Sequence, residues 1–131
     1  MIRSLIASGA MALALIATPA AAAPTAADKG EAELAKMLEG RVAGKPQSCI
    51  TAWSGSDLRV IDKTALVYDA GSTIYVARPA DPRSLDSNDI LVIKRTGGQL
   101  CKQDIVQTID RSSGFMTGVV FLGDFVPYKK N

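Results

Sequence analysis

Histidine is absent from the 131 residues, and the aromatic set is limited to one Trp, three Tyr and three Phe. Without histidine the chain has no Ser-His-Asp or Cys-His catalysis, no His-ligated zinc or iron, and no side chain that titrates unperturbed near neutrality. Most small-enzyme templates are excluded with it. Charge of one sign is scarce too: 15 Lys+Arg stand against 13 Asp+Glu, a net +2. That balance argues against a nucleic-acid partner, and Lys129-Lys130 reads as a solvated chain end. The one long apolar run, 5–17, is rich in Ala and Gly and falls short of the roughly 20 residues that cross a bilayer. Stable membrane insertion is not expected.

What that run does have is the layout of an export signal. Arg3 precedes it, Thr18-Pro19 breaks it, and the small residues at 20–23 follow, the order of a secretory leader. Cleavage after Ala22 keeps small residues at Ala20 and Ala22, whereas cleavage after Ala23 would place Pro24 at the scissile bond. Removing 22 of 131 residues leaves 109 and lowers the net charge to +1, because Arg3 is the only charge before Asp28. That length suits one small domain. The nearest cysteine to the cut is Cys49, too far for a lipidated N-terminus. The expected location is periplasmic or secreted, and soluble.

The only two cysteines, Cys49 and Cys101, are most simply one structural disulfide in an exported chain. Closing about 52 residues stabilises by up to roughly 4 kcal/mol in the chain-entropy picture. A redox-active pair would use close C-x-x-C spacing, which is missing here.

The expected organisation is a leader at 1–22, a short helix and linker at 23–46, and a disulfide-bridged β domain at 47–131. Asp28 as N-cap, with Glu31 three residues on, opens an amphipathic helix at 29–39, and Leu34, Met37, Leu38 and Val42 keep helical spacing. Gly40 and Gly44-Lys45-Pro46 stop it. Strands follow at 49–53, 58–61, 64–68, 73–78, 90–95, 99–102, 105–109 and 115–122, with a last piece at 125–128. Turns fall at Ser54-Gly55-Ser56, Asp62-Lys63, Ala70-Gly71, Gly97-Gly98 and 110–114. The fold class is therefore mainly β, a small antiparallel sandwich or barrel with one N-terminal amphipathic helix. The near-continuous apolar runs 65–68 and 90–93 predict central strands, with Leu66, Val67, Leu91 and Val92 in the core.

Several motifs together carry a resemblance: Cys49-Ile50, Arg59-Val60-Ile61-Asp62, Arg78-Pro79, Ser84-Leu85, Leu100-Cys101 with Asp104, and Leu122-Gly123-Asp124-Phe125-Val126-Pro127-Tyr128. From Cys49 onward the chain resembles a group of small exported proteins of Gram-negative bacteria. The resemblance implies a single disulfide-bridged envelope domain and supplies neither reaction nor ligand. That pattern has Asn before Arg-Pro and a denser acidic run before the next strand, where this chain has Ala77 and Ser87-Asn88.

Candidate chemistry is sparse. Asp86-Ser87-Asn88-Asp89 begins like a calcium loop but lacks the glycine and the terminal glutamate, so it reads as a turn. Arg59, Asp62, Arg78, Asp104 and Asp110 could meet at a sheet end as paired carboxylates for acid and base work, or serve as turn residues that pair locally with arginines. Trp53 and Tyr75 are the aromatics expected at the surface. Neither cofactor nor metal is expected. The favoured function is a non-enzymatic binding or structural module with an envelope protein or small ligand as partner. The alternatives are a small Asp/Arg hydrolase and a small-ligand carrier. Tyr75 and Arg78 on the strand leading into the 79–89 connection, with Asp86 and Asp89 at its far end, form the expected contact surface. Its rival is a mere ion pair between Arg78 and one of those aspartates.

Overall fold

A strand reading Ala-Leu-Val-Tyr leaves no face for water, and the architecture supplies a cover on both sides of it. The computed structural model describes residues 16–52, 57–95 and 97–131. Those residues hold one α-helix, α1 (Ala26–Met37), a 3-10 turn at Pro82–Ser84, and ten strands: β1 (Arg41–Ala43), β2 (Cys49–Thr51), β3 (Leu58–Ile61), β4 (Ala65–Asp69), β5 (Thr73–Pro79), β6 (Asp89–Lys94), β7 (Gln99–Cys101), β8 (Ile105–Asp110), β9 (Met116–Val120) and β10 (Leu122–Lys130). The strands form a five-stranded sheet in the order β1-β10-β5-β4-β3, a pair β2-β7 and a three-stranded sheet β6-β8-β9. All pairings are antiparallel, and the sheets do not close into a barrel.

Strand alternation divides the five-stranded sheet into two apolar faces. Leu66, Tyr68, Ala77 and Phe125 join Ile50, Leu85, Leu100, Val106 and Val120 from the smaller sheets and the 79–89 connection in the larger core. On the other face Ile61, Ala65, Val67, Ile74 and Val76 pack under Leu34 of α1, with Met37 and Leu38 alongside. The molecule is thus layered, with the helix outside, the long sheet in the middle and the small sheets beyond.

Four local expectations are corrected. The helix begins three residues early, because Thr25 is its cap: Asp28 N–H donates to Thr25 Oγ1 at 3.2 Å, and Asp28 Oδ2 accepts from Thr25 N–H at 2.8 Å. This reciprocal pair leaves Glu31 free for another role. Residues 41–43, read as linker, form β1 on the sheet edge, and Val42 is exposed there. Strand β6 is an edge rather than central, with Ile90 exposed and Leu91, Val92 and Ile93 only partly buried. The run 115–122 breaks at Phe121, where the chain leaves β9 for β10, so Phe115 and Phe121 are the exposed aromatics and Tyr75 is half-buried. Trp53 and the Ser54-Gly55-Ser56 turn lie outside the described residues, as does the leader expectation over residues 1–15. No helix among the described residues is long and apolar enough to cross a membrane.

Gly30 seats α1 on the β3–β4 turn. A Cβ there would lie 2.0 Å from Thr64 Oγ1 and 2.5 Å from the Asp62 carbonyl oxygen. Alanine would gain about 1 kcal/mol of helix propensity. Lifting the helix off its apolar bed costs typically 1–3 kcal/mol, and the backbone oxygen cannot rotate away, so overpacking wins. Gly30→Ala should therefore lower the chemical-denaturation midpoint; an unchanged or raised midpoint refutes the close seat.

Cys49 and Cys101 face each other across the β2–β7 ladder and are bonded. Protein purified without reductant and then alkylated should show no modified thiols by mass. Reduction should lower its melting temperature, with a loss of stability no larger than the roughly 4 kcal/mol expected for a loop of this size.

Candidate functional site

Alternation along β3 sends Leu58 and Val60 into the space between the sheets, while Ile61 joins the helix-side core. From the opposite side Leu91 and Ile93 of β6 pack toward the same space. Both strands are sheet edges, and among the described residues no strand bridges them. The seam opens as a cleft of about 530 Å³. Its buried floor is Ala52, Tyr68 and Leu100. Arg111 at its mouth is exposed and Arg95 is partly buried, and Arg59, Ser87, Asp89 and Ile90 complete the lining. A site of this size and apolar character is in the range used for small ligands.

Two arginines of this mouth are held by backbone oxygens. An Arg95 terminal nitrogen donates to the Ala52 carbonyl, and Arg111 Nε donates to the Asn88 carbonyl at 3.3 Å. The 79–89 connection straps one end of the seam to the β3–β4 hairpin. Asp62 accepts from the Ser87 N–H at 2.6 Å and faces the Ser87 hydroxyl at 3.1 Å, while Lys63 N–H donates to Leu85 O and its ammonium to Arg83 O.

The expected contact surface is not assembled. Tyr75 lies on the inter-sheet face of β5, packed against the larger core, and Arg78 lies on the helix face. Asp86 Oδ1 accepts from Asn88 N–H at 2.8 Å within a turn. Of the four residues, Asp89 alone lines the cleft, where its Oδ2 is 2.7 Å from the Thr117 hydroxyl. Arg78 pairs with Glu31 of α1, Nη1 to Oε1 at 2.6 Å, and not with Asp86 or Asp89. Sequence spacing concealed this partner because Glu31 had been assigned to the helix cap.

The aspartates expected at a sheet end are likewise dispersed. Asp62 belongs to the strap, Asp104 Oδ2 accepts from Cys101 N–H at 2.8 Å, and Asp110 Oδ1 accepts from the Ser112 and Ser113 N–H groups. Their partners are serines and backbone rather than arginines. Asp110 stands opposite Asp89 in the β6–β8 register. The Ser113 N–H bond holds its carboxyl below the ordinary range, the reverse of a general acid sharing a proton with a neighbour. The cleft lining thus lacks a pair of facing carboxylates among the described residues. Sequence reasoning missed Arg95 and Arg111 altogether, since nothing in their spacing links them to Arg59; only the sheet topology does.

Comparison with models of known protein families, with curated proteins and with solved structures returned no match.

The Arg78 hydrogen bond holds the Glu31 carboxyl below its ordinary range, against the opposing pull of burial. A lowered carboxyl stabilises the fold above the unfolded glutamate range, roughly 4.3, and loses that contribution as pH falls through the lowered value. Both side chains are half-exposed, at 54% each, which keeps the contribution below about 1 kcal/mol. Arg78→Ala should therefore cost less than about 1 kcal/mol at pH 7, and the difference in denaturation midpoints should shrink as pH falls below the ordinary glutamate range.

Proposed function

We propose that this chain is an exported, non-catalytic binding module that engages a component of the cell envelope through the cleft between β3 and β6. The observation that carries the proposal is the cleft itself: an apolar floor with a polar mouth, open between two unpaired sheet edges. Surfaces of this kind take ligands. The absence of histidine and the dispersal of the aspartates leave no acid and base to pair there. Export is supported by the leader-like N-terminal sequence, by the bonded cysteines, which suit an oxidising compartment, and by the likeness to small exported proteins of Gram-negative bacteria. The small residues expected to flank the cut lie within residues 16–25, an exposed stretch without regular structure that ends at the Thr25 cap.

The carrier alternative shares this cleft and differs only in what fills it. The full chain, expressed with a C-terminal tag in a Gram-negative host, should be recovered from the periplasmic fraction with Ala23 as its first residue. After crosslinking it should carry an envelope component or bound small molecule. Leu58→Trp, which fills the cleft from β3, should melt as the wild type does and lose that cargo. Equal recovery from both proteins, or an uncleaved chain in the membrane pellet, refutes the proposal.

A further inference from the structure

Resting on that binding proposal, we infer that the cleft takes an amphiphilic anion, with its apolar tail between the sheets and its carboxylate or phosphate head at the arginine mouth. Arg95 comes from the end of β6 and Arg111 from the turn after β8, yet both line one opening, while Arg59 stands opposite Val67 in the β3–β4 register and so belongs to the helix-side face. Among the described residues Asp89 is the one acid in that lining, and it faces the Thr117 hydroxyl. Three basic side chains elsewhere are paired with acids: Arg78 with Glu31, Arg83 with Asp81 and Lys102 with Asp124. Arg95 and Arg111 take part in none of the ion pairs among the described residues. Two guanidinium groups beside one acid leave a positive excess at the mouth, which an anion would relieve.

The mouth is also prepared for such a head group. Arg95 and Arg111 are each tethered through one donor to a backbone oxygen, and the rest of each forked guanidinium remains for a ligand. A guanidinium fork matches the oxygens of a carboxylate or a phosphate. Prior tethering reduces the ordering cost of binding. Beneath the head, Leu58, Leu91, Ile93 and Leu100 offer an apolar channel of the right kind for an alkyl chain, and the Tyr68 ring closes it below. A short hydrophilic anion would leave that floor unused. A cation would meet the wrong field.

Calorimetry on the processed protein with decanoate, decyl phosphate, decyltrimethylammonium, acetate and inorganic phosphate tests this. Either decyl anion should bind about tenfold or more tightly than the decyl cation, and the two head-only anions should bind more weakly still. The comparison of decanoate with decyl phosphate tells a fatty-acid head from a phosphate head. Arg95→Ala/Arg111→Ala should weaken the preferred anion about tenfold in a protein that still melts cooperatively, and Arg95→Lys/Arg111→Lys should restore part of it. Lys129→Ala/Lys130→Ala, which removes the same net charge elsewhere, should change nothing. Equal binding of decyl cation and anion overturns the inference, as does a loss equal in the two alanine pairs. So does failure of every decyl compound to bind a protein whose envelope cargo is still lost in Leu58→Trp; that result would leave the binding proposal standing with a peptide as occupant. Recovery of the same cargo from wild type and Leu58→Trp would refute the binding proposal instead.

Discussion

The molecule depends on β4 having no solvent face. Ala65, Leu66, Val67 and Tyr68 are all buried, so the two faces of one strand must be covered by different elements at once. Each face then recruits its own cover. Leu66 and Tyr68 draw in the smaller sheets, and Ala65 and Val67 draw in α1. Burying one Leu- or Val-sized side chain stabilises by about 1.5–3 kcal/mol, several times an exposed ion pair. Contacts such as Arg78 to Glu31 therefore adjust where the helix sits on an arrangement that apolar burial has already imposed.

That hierarchy explains what could be read from the sequence. The continuous run 65–68 announced a strand covered on both faces, and it is one. The equally apolar run 90–93 looked the same, yet β6 is an edge whose outer positions meet solvent. The difference lies in neighbours contributed from far along the chain, which a local window does not contain. The helix was legible from Leu34, Met37 and Leu38, whereas its start was not, because Thr25 and Asp28 form the same kind of cap as Asp28 and Glu31 would have formed. What decided between them was the distant Arg78, which engages Glu31. The pairing of Cys49 with Cys101 needed no such help, there being no third cysteine.

The cleft was least legible of all. Tyr75 and Arg78 are three residues apart, an odd separation, and odd separations in a strand place side chains on opposite faces. That parity alone separates the surface expected around the 79–89 connection. The connection contributes differently: Leu85 is fully buried between the sheets, and Ser87 is tied to Asp62. It holds β3 and β6 at a fixed separation at one end of the seam, and the Arg95 bond to the Ala52 carbonyl adds a second tie within the cleft lining.

Two unpaired edges facing one another invite closure, and a strand edge left bare invites pairing with another chain. Charged side chains are the usual defence. Arg59 sits within β3, and Asp89 and Lys94 bound β6, while β9 carries no charge from Met116 to Val120. Both edges that flank the cleft are thus protected. A guanidinium at a strand edge resists pairing because closing over it would strip its water without supplying an acid in exchange. Resistance to closure and attraction for an anion are therefore the same property, that of guanidinium groups along the seam. A ligand that brings its own negative charge meets no such barrier, so the mouth can stay open to it while remaining closed to a neighbouring strand.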